Sequence, residues 1–244
     1  MNRQQLRKLI IIVAFLLFPA IMHWLSPWTP LFSAAAGVFV GAFITFSLQF
    51  LSSLFFGRVF CGWLCPGGGL QECLILASDK RAKVGKRDLI KWFIWFPWLA
   101  LIIVLFIRAG GIAYVIPLFG VPEGLFLGHV NGNYRYFIYY GVVFGTVILV
   151  ITFGKRTFCH SVCWMAPFMI IGTKISQLLR LPRLHLEPTK ENCNGCNICS
   201  RKCIMSLDVK EMVEREDMRN AECILCGECV DACPQKAIQY SFKR

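Results

Sequence analysis

The chain has 244 residues, 56% of them hydrophobic and only 16% charged, with a formal net charge of +12. That balance is too apolar for an ordinary soluble domain. The positive excess does not predict a nucleic-acid partner either. From Cys193 to Arg244 eight Lys plus Arg face eight Asp plus Glu, so the whole excess falls in the apolar part, and no nucleic-acid-binding motif accompanies it.

In chain order, four stretches approach the roughly 17 to 25 residues that a membrane-spanning helix needs: Leu9 to Leu25, Leu31 to Phe56, Leu89 to Ile107 and Tyr136 to Phe153. The second and fourth carry no charge. The first carries His23 near its end, and the third carries Lys91, expected to snorkel to the interface. The first reads as a retained anchor, because Pro27-Trp28-Thr29-Pro30 offers no small-residue cleavage site. Basic residues cluster at Arg3, Arg7 and Lys8, from Arg58 to Lys91, and from Lys155 to Lys190, while the two opposite loops hold only Arg108 and Arg135. The positive-inside rule then predicts a multi-pass protein of the cell (inner) membrane with both termini cytoplasmic, its basic loops facing the head groups of the lipid bilayer.

After the second and fourth stretches comes a basic segment ending in F-C-x-x-x-C. Gly57-Arg58-Val59-Phe60-Cys61 matches Gly154-Lys155-Arg156-Thr157-Phe158-Cys159 with one residue inserted, which predicts a two-fold internal repeat. Each copy continues into a short apolar piece, Leu70 to Ala77 and Met165 to Gly172, too short to span and read as interfacial or half-inserted. With an even number of spans per repeat, the copies share one orientation about an axis along the membrane normal. Positions four apart lie on one helix face, so Cys61 and Cys65 can point at one object, as can Cys159 and Cys163. Converging, the four would suit an iron–sulfur centre, or with fewer used a copper(I) ion; unligated thiols and a dithiol that cycles with a disulfide are the alternatives. Gly67-Gly68-Gly69 lacks the Lys-Ser/Thr of a phosphate loop and predicts close backbone packing. Cys73 has no partner at useful spacing and reads as a small core residue. Trp63, Trp92 and Trp164 read as an inner interfacial belt.

Pro182 and Pro188 mark the shift to a polar tail, dividing the chain into a membrane domain, 1–182, and a soluble domain, 183–244. The tail holds Cys193-x2-Cys196-x2-Cys199-x3-Cys203 and Cys223-x2-Cys226-x2-Cys229-x3-Cys233-Pro234. This is the bacterial ferredoxin spacing twice over, in which the fourth cysteine of each run serves the other cluster. It predicts two [4Fe–4S] clusters, one on Cys193, Cys196, Cys199 and Cys233, the other on Cys223, Cys226, Cys229 and Cys203. Zinc prefers paired CxxC hooks with a long gap, and disulfides do not suit a reducing compartment. The first run departs from the pattern in ending Cys203-Ile204 rather than with proline.

Four spans, R-V-F-C-G-W-L-C-P-G-G-G-L-Q-E from Arg58 to Glu72, C-H-S-V-C-W-M-A-P-F from Cys159 to Phe168, and then a two-cluster ferredoxin: this combination resembles the NapH-type membrane polyferredoxins. The family includes membrane components of periplasmic nitrate reductase and methylamine dehydrogenase systems. The resemblance covers almost the whole chain. It implies a membrane-bound electron-transfer protein that takes electrons from quinol and passes them to other redox proteins. This sequence departs from the family's CxxxCP pattern at its second site, where Trp164 follows Cys163 and proline arrives at Pro167. Copper-reducing members carry a further domain after the ferredoxin, whereas this chain stops eleven residues past Cys233.

The expected fold is therefore an α-helical membrane protein of four transmembrane helices with an internal repeat, carrying a C-terminal α+β ferredoxin domain. The expected function is electron relay between the quinone pool, or a membrane redox partner, and cytochrome, reductase or ferredoxin-like proteins. Whether the chain is itself a quinol dehydrogenase subunit is left open, because no acid–base constellation for a small substrate appears. His23, Glu123 and His129 are the residues a quinol oxidised at the outer face would find. The alternative is an assembly factor that uses the clusters to reduce copper or mature a cofactor. A redox sensor ranks last for want of an output domain.

Overall fold

The computed structural model describes residues 2–83, 85–116 and 133–243. α1 (Arg3–Leu16) and α2 (Phe18–Leu25) meet at Leu17 with a bend of 80°. Pro19, in the first turn of α2, accounts for the break: it has no N–H for the carbonyl of Phe15, and its ring crowds that carbonyl. α3 (Trp28–Ala35) follows, and Gly37, at φ +67°, turns the chain into β1 (Val38–Val40) ahead of α4 (Gly41–Phe56). The stretches 9–25 and 31–56, expected as single spans, are thus each interrupted.

α5 (Val59–Trp63) and α6 (Pro66–Ile75) carry the first CxxxC segment, and α7 (Ile90–Arg108) runs back from it to β2 (Tyr114–Ile116), which pairs in parallel with β1, Val38 opposite Tyr114. With the 3-10 turn before it, α7 makes a 22-residue helix, Arg87–Arg108. Among the described residues it alone is long and apolar enough as a single helix to cross a membrane; the bent α1–α2 pair would be a second span, and 41–56 and 137–153 are apolar but shorter. α8 (Asn133–Phe153), α9 (Thr157–Ser161) and α10 (Ala166–Leu178) repeat the order of α4, α5 and α6.

Small residues bring helices together both within the first repeat and between the two repeats. A Cβ on Gly69 of α6 would fall within 3.0 Å of the Ile11 carbonyl of α1, and one on Gly172 of α10 would strike Ser53 of α4. Each glycine lets two helix backbones approach where any side chain would hold them apart.

The tail opens with β3 (Arg183–Pro188) and closes with β4 (Ile238–Lys243), which are antiparallel in the register Arg183 opposite Lys243 and Pro188 opposite Ile238. Between them lie α11 (Ile198–Lys202), α12 (Val209–Glu214) and α13 (Glu228–Asp231). Buried Met205, Leu207, Val213, Ile224 and Ile238 form the interior of this unit, continuous with the core beneath the CxxxC segments.

Candidate redox sites

The two ferredoxin runs each curl around a separate cavity. One, with about 340 Å³ of atom-free space including its mouth, is lined by Cys193, Cys196, Cys199 and Cys233. The other, of about 390 Å³, is lined by Cys203, Cys223, Cys226 and Cys229. Structure thus brings together the two quartets that the spacing predicts, with the fourth cysteine of each run crossing over. Asn197 and Gly227 take φ of +59° and +79° just ahead of α11 and α13, and these left-handed turns fold each loop back on itself. The first quartet faces outward, with Cys196 exposed and Cys193 and Cys233 half-buried; in the second Cys203, Cys226 and Cys229 are buried.

Among the described residues no three His, Cys, Asp or Glu side chains close on a single metal ion. Four cysteines ringing a cavity at the ferredoxin spacing are what a [4Fe–4S] cluster requires. The residues therefore fit two [4Fe–4S] clusters. Burial pushes the Cys223 thiol up to about 11 and the Cys226 thiol up to about 12, so assembling a cluster there must release protons.

The CxxxC segments form a third gathering of thiols. Cys61 and Cys159 are the third residues of the five-residue helices α5 and α9, and Cys65 and Cys163 follow each helix. The backbones match closely: Cys65 N–H donates to the Phe60 carbonyl at 2.9 Å, and Cys163 N–H to the Phe158 carbonyl at 3.0 Å. All four cysteines are only 4% exposed and share one core cluster. The repeats also reach across to each other. Gln71 Nε2 donates to Cys159 Sγ at 3.1 Å, and Met169 Sδ lies 3.8 Å from Cys61 Sγ. Gln71 and Met169 each stand six residues beyond the second cysteine of their own repeat.

An arginine stands three residues before the first cysteine of each segment, and both are buried: Arg58 is 1% exposed and Arg156 0%. Arg156 pairs with Glu72, which also holds Arg7, and Arg7 in turn reaches Glu228. Arg58 pairs at 2.8 Å with Glu222, which also holds Lys91. The two repeats differ here. Arg156 finds its carboxylate within the helical domain, whereas that of Arg58 comes from the ferredoxin, one residue before Cys223. Lys91 does not snorkel to an interface; it is 1% exposed and committed to Glu222.

Glu222 belongs to a broad contact that seats the second quartet on the CxxxC segments. Arg58 Nη1 donates to the Ala221 carbonyl at 3.1 Å, and Trp63 Nε1 to the Leu225 carbonyl at 3.2 Å. From α1, Arg3 pairs with Asp231 and Gln4 Nε2 donates to the Cys226 carbonyl at 3.0 Å. Gly62, between Cys61 and Cys65, has no room for a Cβ against the Ile224 carbonyl. Trp63 and Trp164, expected at a lipid interface, are hydrogen-bonded into the fold, Trp164 to the Leu25 carbonyl at 2.9 Å.

Of the remaining candidates, His23 lies half-buried on α2, and Glu123 and His129 lie outside the described residues. Cys73 is half-buried. Gly68 makes room for the Arg156 guanidinium, so the glycine run does serve close packing beside the cysteines. Sequence reasoning missed the buried arginines, which it counted only as topology signals; an Arg three residues before each CxxxC was the available clue. It also missed His160, which is 2% exposed and bridges Asp88 and the Met205 carbonyl, a structural role.

A narrow crevice, with about 520 Å³ of atom-free space including its open mouth, adjoins three of these thiols, Cys65, Cys159 and Cys163. Its walls are almost wholly apolar and include Phe15, Phe18, Leu25, Leu70 and Trp164.

A family model described as "4Fe-4S binding domain" matches residues 31–84 and again 136–182, once per repeat, and another described as "4Fe-4S dicluster domain" matches 192–238. The chain is 26% identical to an uncharacterized protein of Methanocaldococcus jannaschii over 78% of its own length and 74% of the relative's. It is 25% identical to the "Putative electron transport protein YccM" of Escherichia coli, covering 84% of this chain and 55% of that one. It is also 25% identical to the "Ferredoxin-type protein NapH" of Haemophilus influenzae, covering 76% and 63%. Against two of these three relatives the match thus spans less than two thirds of their length. No solved structure matches.

Proposed function

The chain belongs to the NapH-type polyferredoxin family, and on that premise we propose that it is a membrane-bound iron–sulfur electron carrier linking the quinone pool to other redox proteins. The observation that carries this reading is the pair of cysteine-lined cavities, one facing solvent and the other in the loop seated on the first CxxxC segment. In it, Cys193, Cys196, Cys199 and Cys233 hold one [4Fe–4S] cluster, and Cys203, Cys223, Cys226 and Cys229 the other. Cys61, Cys65, Cys159 and Cys163 form a third redox site. When bound, such clusters supply one-electron transfer; this chain's residues fix where it happens and what approaches.

Membrane placement is supported by the apolar faces of the long helices. α7 buries only Lys91, Trp95 and Ile102, leaving Phe93 and Ile107 more than 70% exposed, and Phe137 and Phe144 of α8 are similarly bare. Faces of that extent need a cover, and lipid is the one this composition suits. In this arrangement α4, α7, α8 and the broken α1–α2–α3 segment cross the inner membrane, and both termini with the ferredoxin lie on the cytoplasmic side. In this reading the quinone ring approaches at the narrow apolar crevice that Cys65, Cys159 and Cys163 help to line, whose walls exclude water. Whether oxidation of quinol is completed by this chain or with a partner subunit follows from the same test.

That test is reduction of the purified, anaerobic protein by a short-chain quinol, followed through its visible absorbance, with iron content and membrane fractionation measured alongside. About eight irons held by the ferredoxin quartets, membrane retention and bleaching by quinol are expected. Full iron content with no bleaching, and none on addition of membranes, would refute the quinone link.

A further inference from the structure

The CxxxC site carries more cationic donors than the fold uses. Arg58 Nε and Nη2 and Arg156 Nε are buried and unpartnered, although both guanidinium groups already hold a carboxylate through other nitrogens. A buried charged donor without an acceptor is destabilising, so three such nitrogens on the two arginines beside the thiols call for an occupant. Most other groups reaching the sulfurs are donors too, Met169 Sδ beside Cys61 being the exception. Gln71 Nε2 points at Cys159.

An occupant that takes up the unpartnered arginine nitrogens carries negative charge and lies against the sulfurs. A copper(I) ion can use as few as two thiolates, whereas an iron–sulfur cluster uses all four. The four thiols come two from each repeat, so the occupant bridges them.

We propose that Cys61, Cys65, Cys159 and Cys163 hold one iron–sulfur cluster across the repeat axis, with Arg58 and Arg156 as positioning residues that balance its negative charge and raise its reduction potential. This rests on the reading above that the four thiols form one redox site, and adds its chemical class and the residues that tune it.

The experiment is iron, acid-labile sulfide and copper content of the anaerobically purified full chain, with an EPR-monitored redox titration. About twelve irons and as many sulfides are expected, falling to about eight in the variant with all four cysteines changed to serine. About eight irons plus copper would overturn the cluster while leaving the four thiols a redox site. About eight irons, no copper and no change in the serine variant would overturn both, and leave the ferredoxin reading standing. Arg58→Gln and Arg156→Gln should each shift the oxidised-to-reduced ratio of the extra centre at least tenfold toward oxidised, about 59 mV for one electron. The matching Lys variants, which keep the charge, should recover most of that shift. An unchanged potential in folded, cluster-loaded Gln variants would overturn the part given to the arginines, since a merely structural role moves stability and not potential.

Discussion

Replacing Gly62 by alanine tests whether the ferredoxin is seated on the first CxxxC segment as tightly as the geometry requires. Its backbone is ordinary for an L-residue, so no φ strain is added, and in an exposed helix the change would stabilise by about 1 kcal/mol. Here the new Cβ would lie well inside 3.0 Å of the Ile224 carbonyl oxygen and 3.5 Å from Cys226 Cα. Both neighbours are backbone of the loop that carries the second quartet, and neither has a side-chain torsion to yield. The helix or the loop must move by several tenths of an ångström, an overpacking that destabilises by about 1–3 kcal/mol. Moving the loop also stretches the bonds from Trp63 to Leu225 and from Arg58 to Ala221. Hydrogen exchange of amides 221–229 should therefore speed up several-fold or more, with cluster content retained. Gly145→Ala on α8 is the control, because nothing lies within 4 Å of its added methyl. Equal exchange in Gly62→Ala and wild type would refute the docking.

Further outcomes follow from the ion pairs and the quartets. Glu222→Gln leaves Arg58 and Lys91 buried against a neutral amide; breaking a buried pair destabilises by about 3–5 kcal/mol, read as a lower denaturation midpoint and earlier protease cutting between the domains. Burial alone would raise the pKa of Glu222, but Arg58 and Lys91 hold it below the ordinary glutamate value of 4.5. With the folded-state pKa depressed, its contribution is fully present above that ordinary value and is lost as pH falls through the lower folded one, so the docked ferredoxin should loosen only below about pH 4.5, as protease cutting across a pH series would reveal. Cys233→Ser should remove the same EPR signal as Cys193→Ser, and Cys203→Ser the same as Cys223→Ser, each losing about four irons; pairing of Cys233 with Cys223 instead would refute the crossed assignment.

The sequence by itself determined the chemistry of the tail. Ligand spacing of two, two and three residues is local, so a loop of that length can only wrap a small object, and the crossing of Cys203 and Cys233 follows from the same pattern. The repeat was legible as well, because Gly57 to Cys65 and Gly154 to Cys163 keep the same order of residue types. The helix breaks were only partly legible: Pro19 and Gly37 stand in plain view, but an apolar stretch reads as one span until packing shows where the chain turns. What tertiary structure alone decided is the setting of the CxxxC thiols. Arg58, Lys91 and Arg156 look like interfacial charges in one dimension, and only folding brings Glu222 and Glu72 to them from distant parts of the chain. Electrostatics in a buried site depends on separations in space that sequence distance does not carry, and so the pairing of a ferredoxin carboxylate with an arginine of the helical part became visible only in the folded chain.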